Sequence, residues 1–364
     1  MTNIRVAVIL GGRSVEHAVS TASGAGVLSA LQNLPFEAVP IGITQDGRWA
    51  RLGHEASKQS IGADTGIPRI MADAGDRVVP SADPTPVTAG DSVDGLRFAL
   101  ADVDVAFPVL HGSWGEDGTV QGLLEMAGVP YVGSGVLSSA VCMDKVFTKR
   151  LLANAGIPIG AYEVVRTGHD LTQGQKERLG LPVFVKPSRS GSSLGVTKVT
   201  AWSQLPKALE IAHAIDPKAL VEAAFTGVRE IECAVLEGTS GGAPETSGPL
   251  EVLEVGEEGW FDFDSKYLGS EQPYDLAPTL PDGVSERIQE LSAQVFNLLD
   301  CSDLARIDLF MSPDGEVYVN EINTMPGLTP KSGVPLAWQA AGIEYDRLIA
   351  RLIENAVARG TGLR

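Results

Sequence analysis

"ARIDLFMSPDGEVYVNEINTMPG" occupies Ala305–Gly327. Two apolar runs flank Ser312-Pro313-Asp314-Gly315, a turn signal, so the stretch reads as a β-hairpin. With Pro313 and Asp314 at the turn centre, position 308 falls opposite 319 and position 306 opposite 321. Side chains alternate between the faces of a strand. Arg306, Asp308, Glu321 and Asn323 then share one face, and Ile307, Leu309, Tyr318 and Ile322 the other. A solvated sheet face is the plain reading of such a polar set. Two features point past it. Asp, Glu and Asn oxygens are the donors that Mg²⁺ takes beside substrate phosphates. Thr324-Met325-Pro326-Gly327 also ends the strand at once, which puts the cluster at a sheet end, where sites form.

The chain has 364 residues, enough for two or three domains, and is 44% hydrophobic and 20% charged, as in a soluble globular protein with sizeable cores. Its formal net charge of -18 argues against nucleic acid or an anionic membrane as a partner. An anionic substrate needs its own local Lys and Arg. Cys142, Cys233 and Cys301 lie far apart and form no Cys-x-x-Cys pair, which suits reduced core thiols. No apolar run approaches the roughly 20 residues of a membrane span, and Met1–Val6 leads straight into a strand rather than a signal peptide. The cytoplasm is the expected location.

Val6–Leu10, Val39–Ile43 and Val103–Leu110 read as apolar strands of a covered parallel sheet, with a helix over Val15–Leu31. Residues 45–97, rich in Gly, Asp, Pro and Ser, read as an elaborated surface insertion with room for a hairpin. Asp144 can cap a helix bearing Phe147, Leu151 and Leu152, closed by Gly156. Strand-like runs at 182–186, 195–199 and 219–222 surround a helical stretch near 203–213, and Ser240–Pro244 reads as a hairpin tip. Helices at 285–299 and near 345–358 show apolar faces, with Ile288, Leu291, Val295 and Leu298 on the first and Leu348, Leu352 and Ala356 on the second.

"VFVKPSRSGSSLGV" (183–196) is a strand ending at Lys186, then a Gly/Ser loop, then a strand. Such a loop offers N–H groups and hydroxyls to phosphate oxygens, with Lys supplying charge. Its Lys precedes the loop, which excludes a Walker-type NTPase, and "VILGGRSVEH" lacks the Gly-x-Gly-x-x-Gly of a dehydrogenase. "LHGSWGEDGT" (110–119) ends the third strand with His111, at the carboxyl end of an α/β strand where ligands bind.

The ordered set Gly11-Gly12-x-Ser14-x-Glu16-His17, His111-Gly112-x-x-Gly115-Glu116-Asp117-Gly118, Met143-Asp144-Lys145, Val185-Lys186-Pro187-x-x-x-Gly191-Ser192-Ser193-x-Gly195, Lys266-Tyr267, Arg306-x-Asp308 and Glu321-x-Asn323-x-x-Pro326-Gly327 closely resembles the D-alanine–D-alanine ligases, which are ATP-grasp enzymes. The match runs from about Arg5 to Ala358. The resemblance implies an α/β protein of three-domain ATP-grasp architecture: an N-terminal Rossmann-like domain over 1–133, a central ATP-grasp subdomain over 134–226, and a C-terminal subdomain over 227–364 with the metal site and lid loop. It implies that ATP phosphorylates the carboxylate of one D-alanine and that the amine of a second attacks the acyl phosphate. The products are D-alanyl-D-alanine, ADP and phosphate, and the dipeptide feeds peptidoglycan assembly.

Residue by residue, the resemblance makes Asp308, Glu321 and Asn323 ligands of two Mg²⁺ ions, with Mn²⁺ as an alternative and Glu321 bridging. It makes Lys145, Lys186, Ser192, Ser193 and Lys266 ATP contacts, and Glu222, Phe225 and Glu230 the residues around adenine and ribose. Arg306 and the Gly327 N–H become donors to the oxyanion of the tetrahedral intermediate. Glu16 holds the first substrate's ammonium with His111 beside it, and Ser332 receives the second substrate's carboxylate. Lys266 and Tyr267 fall in a mobile, water-excluding lid, from which Tyr267 is expected to reach Ser192 and Ser192 to meet Glu16. The resemblance also implies a homodimer.

Three departures stand out. Ala223 replaces a Lys common in relatives, "TGVREIE" (226–232) is one residue longer than usual, and Gly333 stands where a bulkier residue is common. The nearest rival is a ligase joining D-alanine to D-lactate or D-serine; Tyr267 favours the dipeptide. A non-catalytic ATP-grasp nucleotide-binding protein is the rival from another class, and retention of all three ligand positions counts against it.

Overall fold

Strand β1 (Ile4–Gly11) is buried on both faces: Val6, Val8 and Leu10 enter one core, Ala7 and Ile9 another. The computed structural model describes residues 4–53, 75–79, 97–98, 100, 102–253 and 273–362, with backbone alone at 75–79 and 97–98; Lys266 and Tyr267 lie outside the described residues. Helix α1 (His17–Leu31) covers the first face, and β2 (Phe36–Ile43) pairs parallel with β1. Gly24 allows that packing, because a side chain there would put its Cβ 2.7 Å from Leu10 Cβ. The stretch read as a surface insertion contributes β3 (Trp49–Leu52), β4 (Gly75–Val79) and β5 (Arg97–Phe98) to the same sheet. With β6 (Val105–Pro108) on the far side of β1, the order is β5-β4-β3-β2-β1-β6.

Helices α2 (Thr119–Ala127), α3 (Val136–Met143) and α4 (Lys145–Asn154) follow. Asp144 caps α4 by accepting from Val146 N at 3.2 Å and Phe147 N at 3.3 Å. Only part of the expected apolar face of α4 is buried: Leu152 is, while Phe147 and Leu151 are exposed. A second sheet then forms from β7 (Tyr162–Arg166), α5 (Gln173–Leu179), β8 (Val183–Pro187), β9 (Thr197–Val199), α6 (Leu205–His213) and β10 (Lys218–Ala223). Its four strands run β7-β10-β8-β9, all antiparallel, over a core of its own.

The third sheet comprises β11 (Arg229–Leu236), β12 (Glu245–Thr246), β13 (Leu250–Val252), β14 (Tyr274–Asp275), β15 (Leu304–Met311) and β16 (Val317–Asn323), with α7 (Val284–Leu298) against one face and α8 (Gly333–Ala340) and α9 (Tyr345–Arg359) against the other. Trp338, Leu348 and Leu352 share one continuous core with Val8, Val27 and Phe107, so the first and third sheets are packed as one body. No helix among the described residues is long and apolar enough to cross a membrane.

The β15–β16 hairpin departs from the expected register in two places. Ser312 N donates to Glu316 O at 2.9 Å, and Gly315 has φ +85, so the turn holds Pro313, Asp314 and Gly315 rather than two residues. A bulge then inserts Asn320: Leu309 faces Val319, but Asp308 faces Glu321 and Arg306 faces Asn323. Tyr318 consequently lies on the polar side, against the Phe225 ring at 4.9 Å, and not with Ile307, Leu309 and Ile322 in the core.

Asp144 ties α4 to the second sheet as well as capping it. Its carboxylate accepts from Ser188 Oγ at 2.8 Å and pairs with Lys218 Nζ, with both charged side chains under a tenth exposed. Removing one member of a buried pair costs about 3–5 kcal/mol. Asp144→Ala is therefore expected to lower unfolding free energy by at least ~3 kcal/mol in urea titrations. A loss under ~1 kcal/mol would mean that the pair behaves like a surface contact.

Candidate functional site

The carboxyl end of the hairpin and the Gly/Ser loop after β8 face one another across a cavity of about 530 Å³. Lys145, Lys186, Ser192, Ser193, Glu222, Phe225, Glu230, Asp308 and Glu321, all singled out from the sequence, line it. A smaller cavity of about 350 Å³, at the loops after β1 and β6, touches none of these but is lined by Gly12, Ser14 and His111.

Hairpin pairing dictates the polar cluster. Arg306 donates to both oxygens of Asp308, Nε to Oδ1 at 2.6 Å and Nη2 to Oδ2 at 2.8 Å, and Asn323 Nδ2 donates to Asp308 Oδ2 at 3.0 Å. Glu232, reaching from β11, lies 3.3 Å from Arg306 Nε. Burial works against the Arg306 charge, but Asp308 and Glu232 outweigh it and hold the guanidinium's pKa well above its ordinary value. Across the cluster, Lys145 Nζ donates to Glu321 Oε1 and to Ser190 O, each at 2.7 Å. Asp308, Glu321 and Asn323 present hard oxygen donors on one face beside two cations, a set that fits Mg²⁺ or Mn²⁺ next to phosphate.

Lys186 and Lys149 hold Glu222 between them. Lys149 Nζ stands 2.5 Å from Glu222 Oε1, and Lys186 Nζ contacts Oε2. Burial would raise the Glu222 pKa, but the two ammonium groups pull it down to about 2. Burial and neighbouring Lys186 lower the Lys149 pKa against the pull of Glu222, whereas the carboxylates raise that of Lys186 despite its burial. Lys149 was not singled out from the sequence, although it lies four residues after Lys145 and so on the same face of α4. Phe225 packs against Phe310, with ring centroids 5.2 Å apart, as well as Tyr318, giving one cavity wall an aromatic surface.

Glu16 is seated at the meeting point of the first two sheets. Ser192 Oγ donates to Glu16 Oε1 at 2.5 Å. A side chain at Gly112, which has φ +70, would put its Cβ 2.2 Å from Glu16 Oε2, so this position needs glycine to admit the carboxylate, and one at Gly191 would stand close by at 3.0 Å. Ser192 and Ser193 adopt φ +49 and +58, a left-handed pair that non-glycine residues avoid and that turns successive N–H groups toward one side. The expected link from Tyr267 to Ser192 falls outside the described residues, as does Lys266.

His111 turns toward the third sheet. Its Nδ1 donates to Met325 O at 2.7 Å, and its Nε2 accepts from Ser23 Oγ at 3.0 Å. Ser23 Oγ in turn accepts from Leu328 N at 3.1 Å. Burial lowers the imidazole pKa to about 4, which keeps the ring neutral and suits this one-donor, one-acceptor arrangement. Gly327 lies inside the segment so held. Ser332 Oγ bonds Thr329, accepting from its N at 3.1 Å, and a Cβ on Gly327 would stand 3.0 Å from that hydroxyl. Ser23, Lys149, Glu232 and Tyr318 are thus site neighbours that sequence reading missed.

The chain matches the family model for the D-ala D-ala ligase N-terminus over residues 5–134 and that for the C-terminus over residues 151–354. A D-alanine--D-alanine ligase of Mycolicibacterium gilvum is 48% identical over 369 residues, covering 99% of each chain. One of Rhodococcus erythropolis is 50% identical over 367 residues, covering 99% of this chain and 98% of its own. Among solved structures, the D-alanine-D-alanine ligase from Coxiella burnetii matches with a TM-score of 0.81 at 32% identity, over 98% of this chain and 96% of that one. The VanG D-Ala:D-Ser ligase from Enterococcus faecalis matches with the same TM-score of 0.81 at 32% identity, over 98% and 100%.

The Glu222 clamp makes stability depend on acid in a defined window. A carboxylate whose folded pKa is depressed stabilises the fold above its unfolded pKa and loses that contribution as pH falls through the folded value. The wild-type chain should lose this contribution between an ordinary value near 4.5 and about 2. Glu222→Gln should be less stable at neutral pH yet show a shallower loss across that window in urea titrations. Parallel curves for the two proteins would contradict the clamp.

Proposed function

The chain belongs to the D-alanine–D-alanine ligase family, and we propose that it joins two molecules of D-alanine through an acyl phosphate, releasing ADP and phosphate. One observation carries this reading: a phosphate-type loop with Lys145 and Lys186 faces a hairpin of hard oxygen donors, and Glu16 stands at the same loop. In the first step a D-alanine carboxylate oxygen bonds to the γ-phosphorus of ATP, and the bond to the ADP oxygen breaks. In the second, the amine of the other D-alanine, having lost a proton, bonds to the acyl carbon, and phosphate leaves.

The chain's own residues bind and orient. Lys145, Lys186, Ser192 and Ser193 hold ATP phosphates, while Glu222, Phe225 and Glu230 flank the nucleoside. Glu16 pairs with the first substrate's ammonium. Arg306 and the Gly327 N–H donate to the oxyanion, and Ser332 takes the second substrate's carboxylate. Asp308, Glu321 and Asn323 would hold two Mg²⁺ or Mn²⁺ ions, which when bound neutralise charge on the transferred phosphoryl group. Lys266 and Tyr267 would close over the site. We further propose that the chain is divided into functional units at 1–133, 134–226 and 227–364, that it is a homodimer, and that it works in the cytoplasm to supply peptidoglycan precursor.

D-Alanine is favoured as acceptor because relatives near half identity are named for it. The solved D-Ala:D-Ser ligase matches as well in fold as the D-alanine enzyme, so fold alone does not choose the acceptor. A coupled assay over D-alanine, D-serine and D-lactate tests the choice, and D-alanine should give the highest kcat/KM. Phosphate should appear with dipeptide in equal amounts; AMP accumulating instead would overturn the acyl-phosphate route. Glu321→Gln should abolish turnover while leaving the thermal transition near wild type. Ligation at near wild-type rate in saturating Mg²⁺ would mean that the metal ligands lie elsewhere.

A further inference from the structure

Glu116 belongs to the "HGSWGEDG" motif, and the ligation scheme leaves it without a task. It is a partly buried carboxyl group whose two oxygens go to two different parts of the molecule. Oε2 accepts from Gly112 N at 2.7 Å, in the loop after β6. Oε1 accepts from Met325 N at 3.0 Å, in the segment after β16. Those loops carry opposite ends of the reacting centre. Gly112 forms the seat of Glu16, since a Cβ there would stand 2.2 Å from Glu16 Oε2. Met325 precedes Gly327 by two residues, and Pro326 between them has a locked φ that carries the placement of one to the other.

We propose that Glu116 is a positioning residue that sets the distance between the Glu16 seat and the Gly327 N–H by holding Gly112 and Met325 on one carboxylate. The proposal rests on the reading of Gly327 as an oxyanion donor. His111 supplies the complementary tie, taking Met325 O where Glu116 takes Met325 N, so the two peptide units flanking Met325 are both held from the first sheet's loops. Burial and the nearby Glu16 raise the Glu116 pKa to about 8, so the ionised form that accepts at both oxygens predominates only above that pH. A carboxylate accepts at both oxygens, but a carboxamide accepts at one and donates at the other.

Glu116→Gln keeps the shape and forces one of the two N–H groups to face an NH₂. Hydrogen exchange of the full chain should then speed up at Gly112, Met325 or both. Because hydrogen bonds to charged groups are the stronger class, kcat measured at about pH 9, where wild-type Glu116 is ionised, should fall by about 10- to 100-fold. The KM for ATP should stay within about twofold, since binding at the second sheet does not pass through Glu116. If the variant does not fold, Glu116→Asp keeps the charge, shortens the reach, and is read in the same way. Unchanged exchange at both amides overturns the proposal whatever the activity. Faster exchange with unchanged kcat also overturns it, as a structural tie only. A wild-type chain that makes no dipeptide from D-alanine would instead refute the ligase reading, and the exchange experiment would still decide whether Glu116 holds the two loops.

Discussion

Glu16 has almost no freedom, and the three sheets are arranged around that fact. Its carboxylate fills the space that a side chain at Gly112 or Gly191 would need and takes the hydroxyl of Ser192. Gly112 belongs to the first sheet's loops, and Gly191 and Ser192 to the second sheet. The third sheet reaches the same point through Met325, bound by His111 and Glu116. Where the Glu16 seat joins the first two sheets and its own loop is tied to the third, a small displacement of any sheet is felt by the others. Close packing makes such an assembly transmit shifts rather than absorb them.

Charge is handled in the same local manner. A chain with formal net charge -18 repels an anionic nucleotide at long range, so the cations it needs must be concentrated and kept charged. Each one here has a carboxylate in contact: Lys145 with Glu321, Lys149 and Lys186 with Glu222, Arg306 with Asp308 and Glu232. Buried ion pairs contribute little net stability compared with apolar packing. Their concentration around one cavity therefore reflects the demands of the ligand more than those of the fold. The same pairing keeps the expected metal-ligand carboxylates oriented.

The hairpin, the Gly/Ser loop and the order of motifs were legible in the sequence because each is local: a turn, an alternation, a spacing. Lys149 was legible too, by its four-residue offset from Lys145, and was overlooked. The partners of His111 were not legible. Met325 lies 214 positions away, and only the shared core between the first and third sheets brings the two together. Residues 45–97 read as an insertion with room for a hairpin because Gly, Asp, Pro and Ser are frequent in them, and short strands within them do pair at the sheet's edge, β3 with β4 antiparallel. Phe147 and Leu151 show the limit of reading helix faces: both are exposed, and the buried stripe of α4 runs through Val146, Lys149 and Leu152.

The register of the hairpin shows why the polar cluster could be found by an argument with two errors in it. A three-residue turn displaces every pairing by one, and the bulge at Asn320 displaces the pairings beyond it by one more. Pairing parity returns after two single shifts, so Arg306, Asp308, Glu321 and Asn323 still share a face although none meets its expected partner. The intervening stretch betrays the difference. Asn320 faces the cavity, Tyr318 packs against Phe225 on the same side, and Val319, not Tyr318, enters the core. Strict alternation from Val319 onward would send Glu321 and Asn323 into an apolar core and Ile322 into the cavity. Burying an unpaired carboxylate costs far more than one irregular pairing. The bulge is therefore the conformation that this order of residues requires: an extra residue sits at the only point where the alternation must be reset to bring Glu321 beside Asp308.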